Sequence, residues 1–401
     1  MSSGTQKREF VLLGLCASLF FFAYGAGLPV LPRFVLSLGG DGSDVGLVVG
    51  GLAVGALVVR PSLGRLGDRR GARRLLIGGS LLASAGFAAT AFVHVIPLLV
   101  PLRAAIGAGQ AAVMIGGTSL AIELVPEERR GEAAAFILVA FQLGVGSGPL
   151  LGELVLEHQG YGAVWLVCAA AALAAGVVAT RLPARAGRGV SSSGKLLHPA
   201  GVKPGLVMMA AIFGHVAFAA FIPLLAVDAG VVRTGPLFVL MAATMVVSRV
   251  LGRHLPDRLG PVTGGAIACS LIATGLFGIS QARQPAMLFA MTFVLGSGWA
   301  LLFPCMVIPV VDGSATSGRS AALATFTMFL DIGSGLGGVV LGKVADATSY
   351  RHTFVTGGCA AVVAVLLVLF LVRPSLTRAI PKDSLMADNW PSERGRTCTT
   401  S

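Results

Sequence analysis

The chain is built from apolar stretches, each about as long as a bilayer is thick, separated by short polar segments. The windows fall at about 10–31, 44–63, 75–95, 97–123, 132–156, 161–181, 204–227, 235–252, 262–281, 285–311, 319–344 and 352–373. Roughly 20 apolar residues cross a bilayer as a helix. Inside hydrocarbon, every backbone N–H and C=O must find its partner within the protein. Such windows predict a polytopic, all-α membrane protein, and their number is consistent with twelve crossings. Composition closes the alternatives: only 12% of the residues are charged, about half of what a soluble domain carries. Soluble enzymes, secreted domains and disordered chains are excluded.

The net charge of +12 is sorted by side of the membrane. If the first span leaves the cytoplasm, inward segments hold 22 of the 30 Lys and Arg, outward segments 5, and spans or span edges 3. This positive-inside bias places both termini in the cytoplasm of a multi-pass plasma-membrane protein. It leaves no soluble basic face for nucleic acid. Lys7 and Arg8 followed by an apolar run look at first like a secretory leader. No small-x-small cleavage site follows cleanly and further spans come at once, so the segment reads as an uncleaved first helix. Cys16, Cys168, Cys269, Cys305 and Cys359 fall in apolar spans and Cys398 in the tail, so no disulfide framework is implied.

Composition shifts sharply at 182–203, where Pro183, Arg185, Arg188, Ser191, Ser192, Ser193, Lys195 and Pro199 form a basic linker. The linker divides an N-terminal half, 1–181, from a C-terminal half, 204–373, with six windows in each. Residues 374–401 make a polar tail with Pro374 and Pro391, expected to be disordered. The halves echo each other at a spacing of 187 to 189 residues. Val58-Val59-Arg60 and Leu63-Gly64-Arg65 recur as Val246-Val247-Ser248 and Leu251-Gly252-Arg253. Asp68-Arg69-Arg70-Gly71 recurs as Asp257-Arg258-Leu259-Gly260, Gly107-Ala108-Gly109 as Gly296-Ser297-Gly298, and Gly146-Ser147-Gly148 as Gly333-Ser334-Gly335. Four matches in one order predict a duplicated bundle, with its site near midplane between the copies.

Between the second and third windows, Gly64, Arg65, Gly67, Asp68, Arg69, Gly71, Arg73 and Arg74 put an acid, several guanidinium groups and helix-breaking glycines into one short loop. An acid there accepts bidentate hydrogen bonds from Arg or favours a helix N-terminus, contacts that form in one state and break in another. The segment resembles the signature loop of the major facilitator superfamily, G-x-L-(A/G)-D-R-x-G-R-(K/R), with Ala72 where that family usually has a basic residue. Asp257 and Arg258 carry a degenerate copy. The resemblance implies a twelve-helix fold in two pseudo-symmetric six-helix halves, with both loops acting as a conformational switch.

Two further segments resemble motifs of the same family. Arg103-Ala104-Ala105-Ile106-Gly107-Ala108-Gly109 is similar to the fourth-helix motif R-x-x-Q-G-x-G, with Ile106 in place of Gln. Its match implies a role for Arg103 in proton coupling or substrate binding. Gly144-Val145-Gly146-Ser147-Gly148-Pro149-Leu150-Leu151-Gly152-Glu153 is similar to the fifth-helix antiporter motif G-x-x-x-G-P-x-x-G-G, with Glu153 in place of the last Gly. That likeness implies the drug/proton antiporter branch and export. Physically, Gly144, Gly148 and Gly152 admit a close neighbour, and Pro149 removes a backbone hydrogen bond and is expected to kink the span. Gly333-Ser334-Gly335-Leu336-Gly337-Gly338 fits G-x-G-x-x-G, but no strand precedes it, so it is not read as a dinucleotide site.

Charges inside the membrane are site hypotheses by default. Asp331 lies at the centre of span eleven, His215 at the centre of span seven and Arg103 in the outer half of span four, while Glu153, Asp228 and Glu123 lie near span ends. Asp331 is the proton-carrier candidate, Arg103 a proton-coupling or substrate residue, and His215 and Glu153 further candidates. The first span holds no acid, only Tyr24, although many proton-coupled exporters of the family place one there. Phe218, Phe221, Trp299, Met291, Met306, Phe326, Met328 and Phe329 are candidates for an adaptable apolar pocket. Scarce polar side chains disfavour sugars or phosphorylated cargo.

With no P-loop, uphill transport is left to an ion gradient. The reading is a monomeric, proton-coupled exporter of small hydrophobic compounds by alternating access. Its partners are a small-molecule substrate, protons and the bilayer, and it uses no metal and no cofactor. The alternative is an importer of a small metabolite on the same fold. A membrane-embedded enzyme is disfavoured because no nucleophile–base constellation is present.

Overall fold

Backbone that cannot reach water closes its hydrogen bonds locally, and the described chain is accordingly helical from end to end. The computed structural model describes residues 3–126, 129–184, 197–252, 254–314 and 318–372. Their helices are α1 (Ser3–Gly27), α2 (Val30–Ser37), α3 (Gly42–Arg70), α4 (Ala72–Thr90), α5 (Ile96–Glu123), α6 (Arg130–Ala179), α7 (Pro199–Leu225), α8 (Gly235–Leu251), α9 (Leu255–Gln281), α10 (Pro285–Asp312), α11 (Arg319–Ala347) and α12 (Tyr350–Leu367). Within the linker, residues 185–196 lie outside the described residues, as does the whole tail 374–401.

Helices and spans do not correspond one to one. α2 is an eight-residue piece beyond the end of α1. α6 has 50 residues, roughly 75 Å if straight and too long for one crossing. It breaks at Gly160 (φ 82°, ψ −179°) into spans 130–159 and 161–179, between the windows read from sequence. Pro149 lies within the first of these spans, and the break between the two spans is at Gly160. Alternating direction along the chain then brings the start of α1 and the end of α12 to the same side. We call this the terminal face and the opposite side the far face.

Large apolar side chains cover the outside: Phe92 is 73% exposed, Leu251 80% and Phe370 71%. Such a surface is stable only against lipid tails. Inside, one continuous buried cluster runs through both halves, with Phe20, Phe87, Trp165, Phe218, Phe221 and Phe354 among its largest members.

The duplication is visible in the backbone. Gly71 (φ 83°) ends α3 and Gly260 (φ 70°) interrupts α9, two positions 189 residues apart. Both take a positive φ that an L-residue with a Cβ disfavours, which accounts for glycine in both copies. A Cβ on Gly109 would meet the Gly79 carbonyl at 2.5 Å, and one on Gly298 the Ala268 carbonyl at 2.8 Å, again counterparts 189 apart. The six spans of α1–α6 and the six of α7–α12 are thus two copies of one bundle. They meet along two seams, α3 against α11 and α6 against α8.

Candidate functional site

The α3–α11 seam is set by glycine. Gly42, Gly46 and Gly50 of α3 face Gly342, Gly338 and Gly335 of α11; a Cβ on Gly46 would run into the Gly338 carbonyl, and one on Gly338 into the Gly46 carbonyl. Small residues let membrane helices pack backbone to backbone, and this close packing brings side chains further along the same two helices within reach of each other. Arg60 lies about 27 Å along α3 from Gly42 by helical rise. Its Nε and Nη2 donate to the two carboxylate oxygens of Asp331 on α11, the second at 3.1 Å. Its Nη1 donates to Thr327 Oγ1, also at 3.1 Å. The side chains are 20% and 14% exposed, so this is a mostly buried, bidentate ion pair joining the two halves at mid-helix.

A pair of this kind is held by geometry. Desolvating two charges offsets most of their attraction, and removing one partner strands the other at a penalty of about 3–5 kcal/mol. Asp331 is legible in the sequence as an intramembrane acid, whereas its partner Arg60 is marked there only as part of a repeated segment. At the other seam, the residue 189 positions before Asp331 is Gln142, whose Nε2 lies 3.7 Å from Met245 Sδ on α8. Among the described residues, the mid-helix ion pair sits in one seam only.

At the far face each half caps a helix of the other. Glu153, near the far end of the first span of α6, accepts hydrogen bonds from Thr234 N, Thr234 Oγ1 and Gly235 N at the start of α8, each at 2.7 Å. Arg33 lies 3.5 Å from the same carboxylate and donates to the Val232 carbonyl at 2.7 Å. At the other seam, Asp346 accepts from Gly42 N at 2.6 Å, from Ser43 N at 2.8 Å and from Ser43 Oγ at the start of α3. Carboxylates at helix N-termini satisfy orphan N–H groups and the positive end of the helix dipole. Glu157 and Arg233 add a bidentate pair at 2.6 and 2.8 Å. Glu153, expected near water at a span end, is instead buried at 3% exposure. Asp346, Arg33 and Thr327 were not found from sequence, because span-end acids and mid-span threonines are common and only the fold shows what they face.

Arg103 on α5 is 4% exposed and its Nε has no hydrogen-bond partner. No described ion pair includes it. Tyr24 on α1 and Cys168 on α6 lie close enough to interact with its charge. His215 on α7 stands edge-on to Trp299 on α10, with ring centroids 5.5 Å apart. The apolar-pocket candidates Phe218, Phe221 and Phe326 are packed on other rings, namely Phe238, Tyr350 and Phe303, inside the bundle. They are core residues in this state.

The signature segment is less of a loop than expected: α3 continues through Arg70, Gly71 makes the turn and α4 begins at Ala72. The side chains of Arg65, Asp68 and Arg69 lie outside the described residues, as does Gly64 beyond its helical backbone. Arg73 donates to the Thr180 carbonyl at the end of α6, and Arg74 lies beside it in the first turn of α4. Asp257 and Arg258 open α9, one turn before the Gly260 break. Gly144, Gly148 and Gly152 form one stripe of α6 against α1: a Cβ at Gly144 would stand 2.5 Å from the Ser18 carbonyl, and those at Gly148 and Gly152 would strike Phe22 and Ala26 backbone. The antiporter-like stripe therefore welds two helices of one half.

Residues 13–314 match the family described as Major Facilitator Superfamily. The chain is 25% identical over 357 residues to the uncharacterized MFS-type transporter YhhS of Escherichia coli (strain K12), a match covering 86% of this chain and 88% of that protein. A shorter match, 29% identical over 153 residues, is to the quinolone resistance protein NorA of Staphylococcus aureus and covers 37% of this chain and 39% of NorA. Among solved structures, a bacterial homolog of the human lysosomal transporter Spinster, in an inward-facing and unoccupied conformation, shares the fold. Its TM-score is 0.78 at 12% identity, over 94% of this chain and 99% of that one.

Proposed function

The chain belongs to the major facilitator superfamily, and from that premise we propose that this membrane transporter is a proton-coupled exporter of small hydrophobic compounds. The single observation that carries the reading is the buried Arg60–Asp331 pair across the seam between the halves. A proton on Asp331 removes the counter-charge of Arg60 and loosens the seam; its loss restores the pair. Cargo favours one arrangement of the halves and the proton the other, which is all that coupling requires. Arg103 adds a second buried cation, on α5, and the His215–Trp299 pair offers a contact for aromatic cargo.

In this reading the terminal face is cytoplasmic, as the distribution of Lys and Arg favours, and the far face is external, in the cytoplasmic membrane. The carboxylate caps of Glu153 and Asp346 then close the external side. The likeness to a neighbour described as inward-facing supports that state. The turn carrying Asp68, Arg69, Gly71, Arg73 and Arg74, with its copy at Asp257 and Arg258, serves as the opposing latch. The NorA match, partial as it is, favours export and a drug-like cargo.

The test is transport in proteoliposomes. Uphill movement of a hydrophobic dye is expected to require a pH gradient. Asp331→Asn is expected to abolish the uphill component while leaving downhill exchange. Unchanged uphill transport by that variant removes Asp331 from the mechanism. A second reading is import of a small metabolite on the same fold. Cellular accumulation that rises on expression selects it.

A further inference from the structure

A groove of about 520 Å³ lies at the terminal-face ends of α8, α9 and α10. Leu259, Ile267, Leu271, Leu301 and Pro304 form its apolar wall. Ile267 is 41% and Leu255 45% exposed, so the groove opens onto the surface that meets lipid. Among the described residues its one cation is Arg249, in the last turn of α8. The Arg249 Nε is buried with no hydrogen-bond partner, and no ion pair among the described residues includes this side chain. Arg60 has Asp331, and Arg33 has Glu153; Arg249 has no such acid among the described residues.

A guanidinium at the edge of hydrocarbon needs an anion or water for its donors, and burial of Nε removes the water. Its planar fork matches the oxygens of a phosphate. The carbonyl end of α8 eases the charge but leaves Nε unsatisfied. An apolar channel running from that fork along α9 and α10 fits an acyl chain. Basic pockets between helices near the membrane surface bind anionic head groups on these terms. We propose that this groove is a binding site for an anionic phospholipid of the terminal-side leaflet, its phosphate on Arg249 and one acyl chain along α9 and α10. The site stands apart from the α3–α11 seam and does not depend on the direction of transport.

The experiment uses the full chain purified in detergent, exposed to equal amounts of phosphatidylglycerol and phosphatidylcholine, with retained lipids counted by native mass spectrometry. The wild type is expected to keep one phosphatidylglycerol with about a five-fold preference, the ratio that about 1 kcal/mol of headgroup attraction makes. Arg249→Gln is expected to lose the preference, and Arg249→Lys, which keeps the charge but not the fork, to keep only part of it. Ala300→Trp, which fills the groove without touching the charge, is expected to retain neither lipid there. Equal retention of the two lipids by the wild type overturns the proposal. So does an undiminished preference in Arg249→Gln or in Ala300→Trp, each verified by thermal unfolding to be folded.

Discussion

Glu153→Gln is expected to open the far face. The carboxylate takes three hydrogen bonds of 2.7 Å from the start of α8, with Arg33 at 3.5 Å. Hydrogen bonds to a charged acceptor contribute about 1.5–3 kcal/mol each, against about 0.5–1.5 for a neutral one. The glutamine keeps one acceptor oxygen and turns an NH2 toward donors. Much of the gross loss is offset because the amide is cheaper to bury than the carboxylate, leaving about 2 kcal/mol, a roughly thirty-fold shift in the closed-to-open ratio. The group is only 3% exposed, so solvent screening does not reduce this figure. Asp346, with a comparable set of donors, is exposed to solvent, and Asp346→Asn is expected to shift the ratio by less than a third as much. Spin labels at Val95→Cys and Arg283→Cys, on a background freed of native cysteines, report the distance across the far face. A population of longer distances in Glu153→Gln, smaller in Asp346→Asn, is the expected result. If the distribution is unchanged by Glu153→Gln, or if Asp346→Asn moves it as far, burial of the cap is not what holds the far face closed.

Exchanging the seam charges, Arg60→Asp with Asp331→Arg, is expected to restore part of the pH-driven uptake that either single variant loses; proteoliposome transport measures it. Gly46→Val is expected to separate α3 from α11, because its side chain strikes the Gly338 carbonyl, and to lower the thermal unfolding midpoint in detergent, with a destabilisation of about 3 kcal/mol or more. Arg103→Ala is expected to unfold at or above the wild-type temperature, since an unpaired guanidinium is removed from the core, while transport falls at least ten-fold; wild-type transport refutes a functional role for Arg103.

The spans and the duplication were legible because they rest on two strong signals, backbone that hydrocarbon forbids to be unsatisfied and glycine at positive φ. Gly71 and Gly260 were visible as parts of a repeated tetrapeptide, and the structure gives the physical reason for both. The break in α6 was legible as a gap between windows, and the structure places it at Gly160. Partners were much harder to read. Asp331 stood out as a lone acid, but Arg60 lay within a segment noticed only for its repetition, and nothing in a linear sequence says that positions 271 apart share a seam. One rule available beforehand points toward it: an intramembrane acid calls for a base within the membrane, and Arg60 lies at the end of the apolar stretch of α3. The caps are less accessible still, since Glu153 and Asp346 are bound chiefly by backbone N–H groups and Thr or Ser hydroxyls that carry no sequence signal.

A mid-helix ion pair in one seam only bears on how, in the proposed mechanism, one pair could govern both halves. Two identical charged seams would each have to yield in every cycle, and each would present its own desolvation penalty. Among the described residues the α6–α8 seam has no ion pair at mid-helix, where Gln142 stands against Met245, two neutral side chains that offer little electrostatic resistance to sliding. The α3–α11 seam holds the ion pair and, above it, the glycine ladder that keeps the two backbones in contact. In the proposed mechanism, neutralising Asp331 changes the balance along one edge of a pseudo-symmetric interface and leaves the other as a bearing. A rocking motion needs such an asymmetry, one edge that grips and one that gives. On that proposal, the difference between Asp331 and Gln142 supplies it without altering the shared packing that holds each half together.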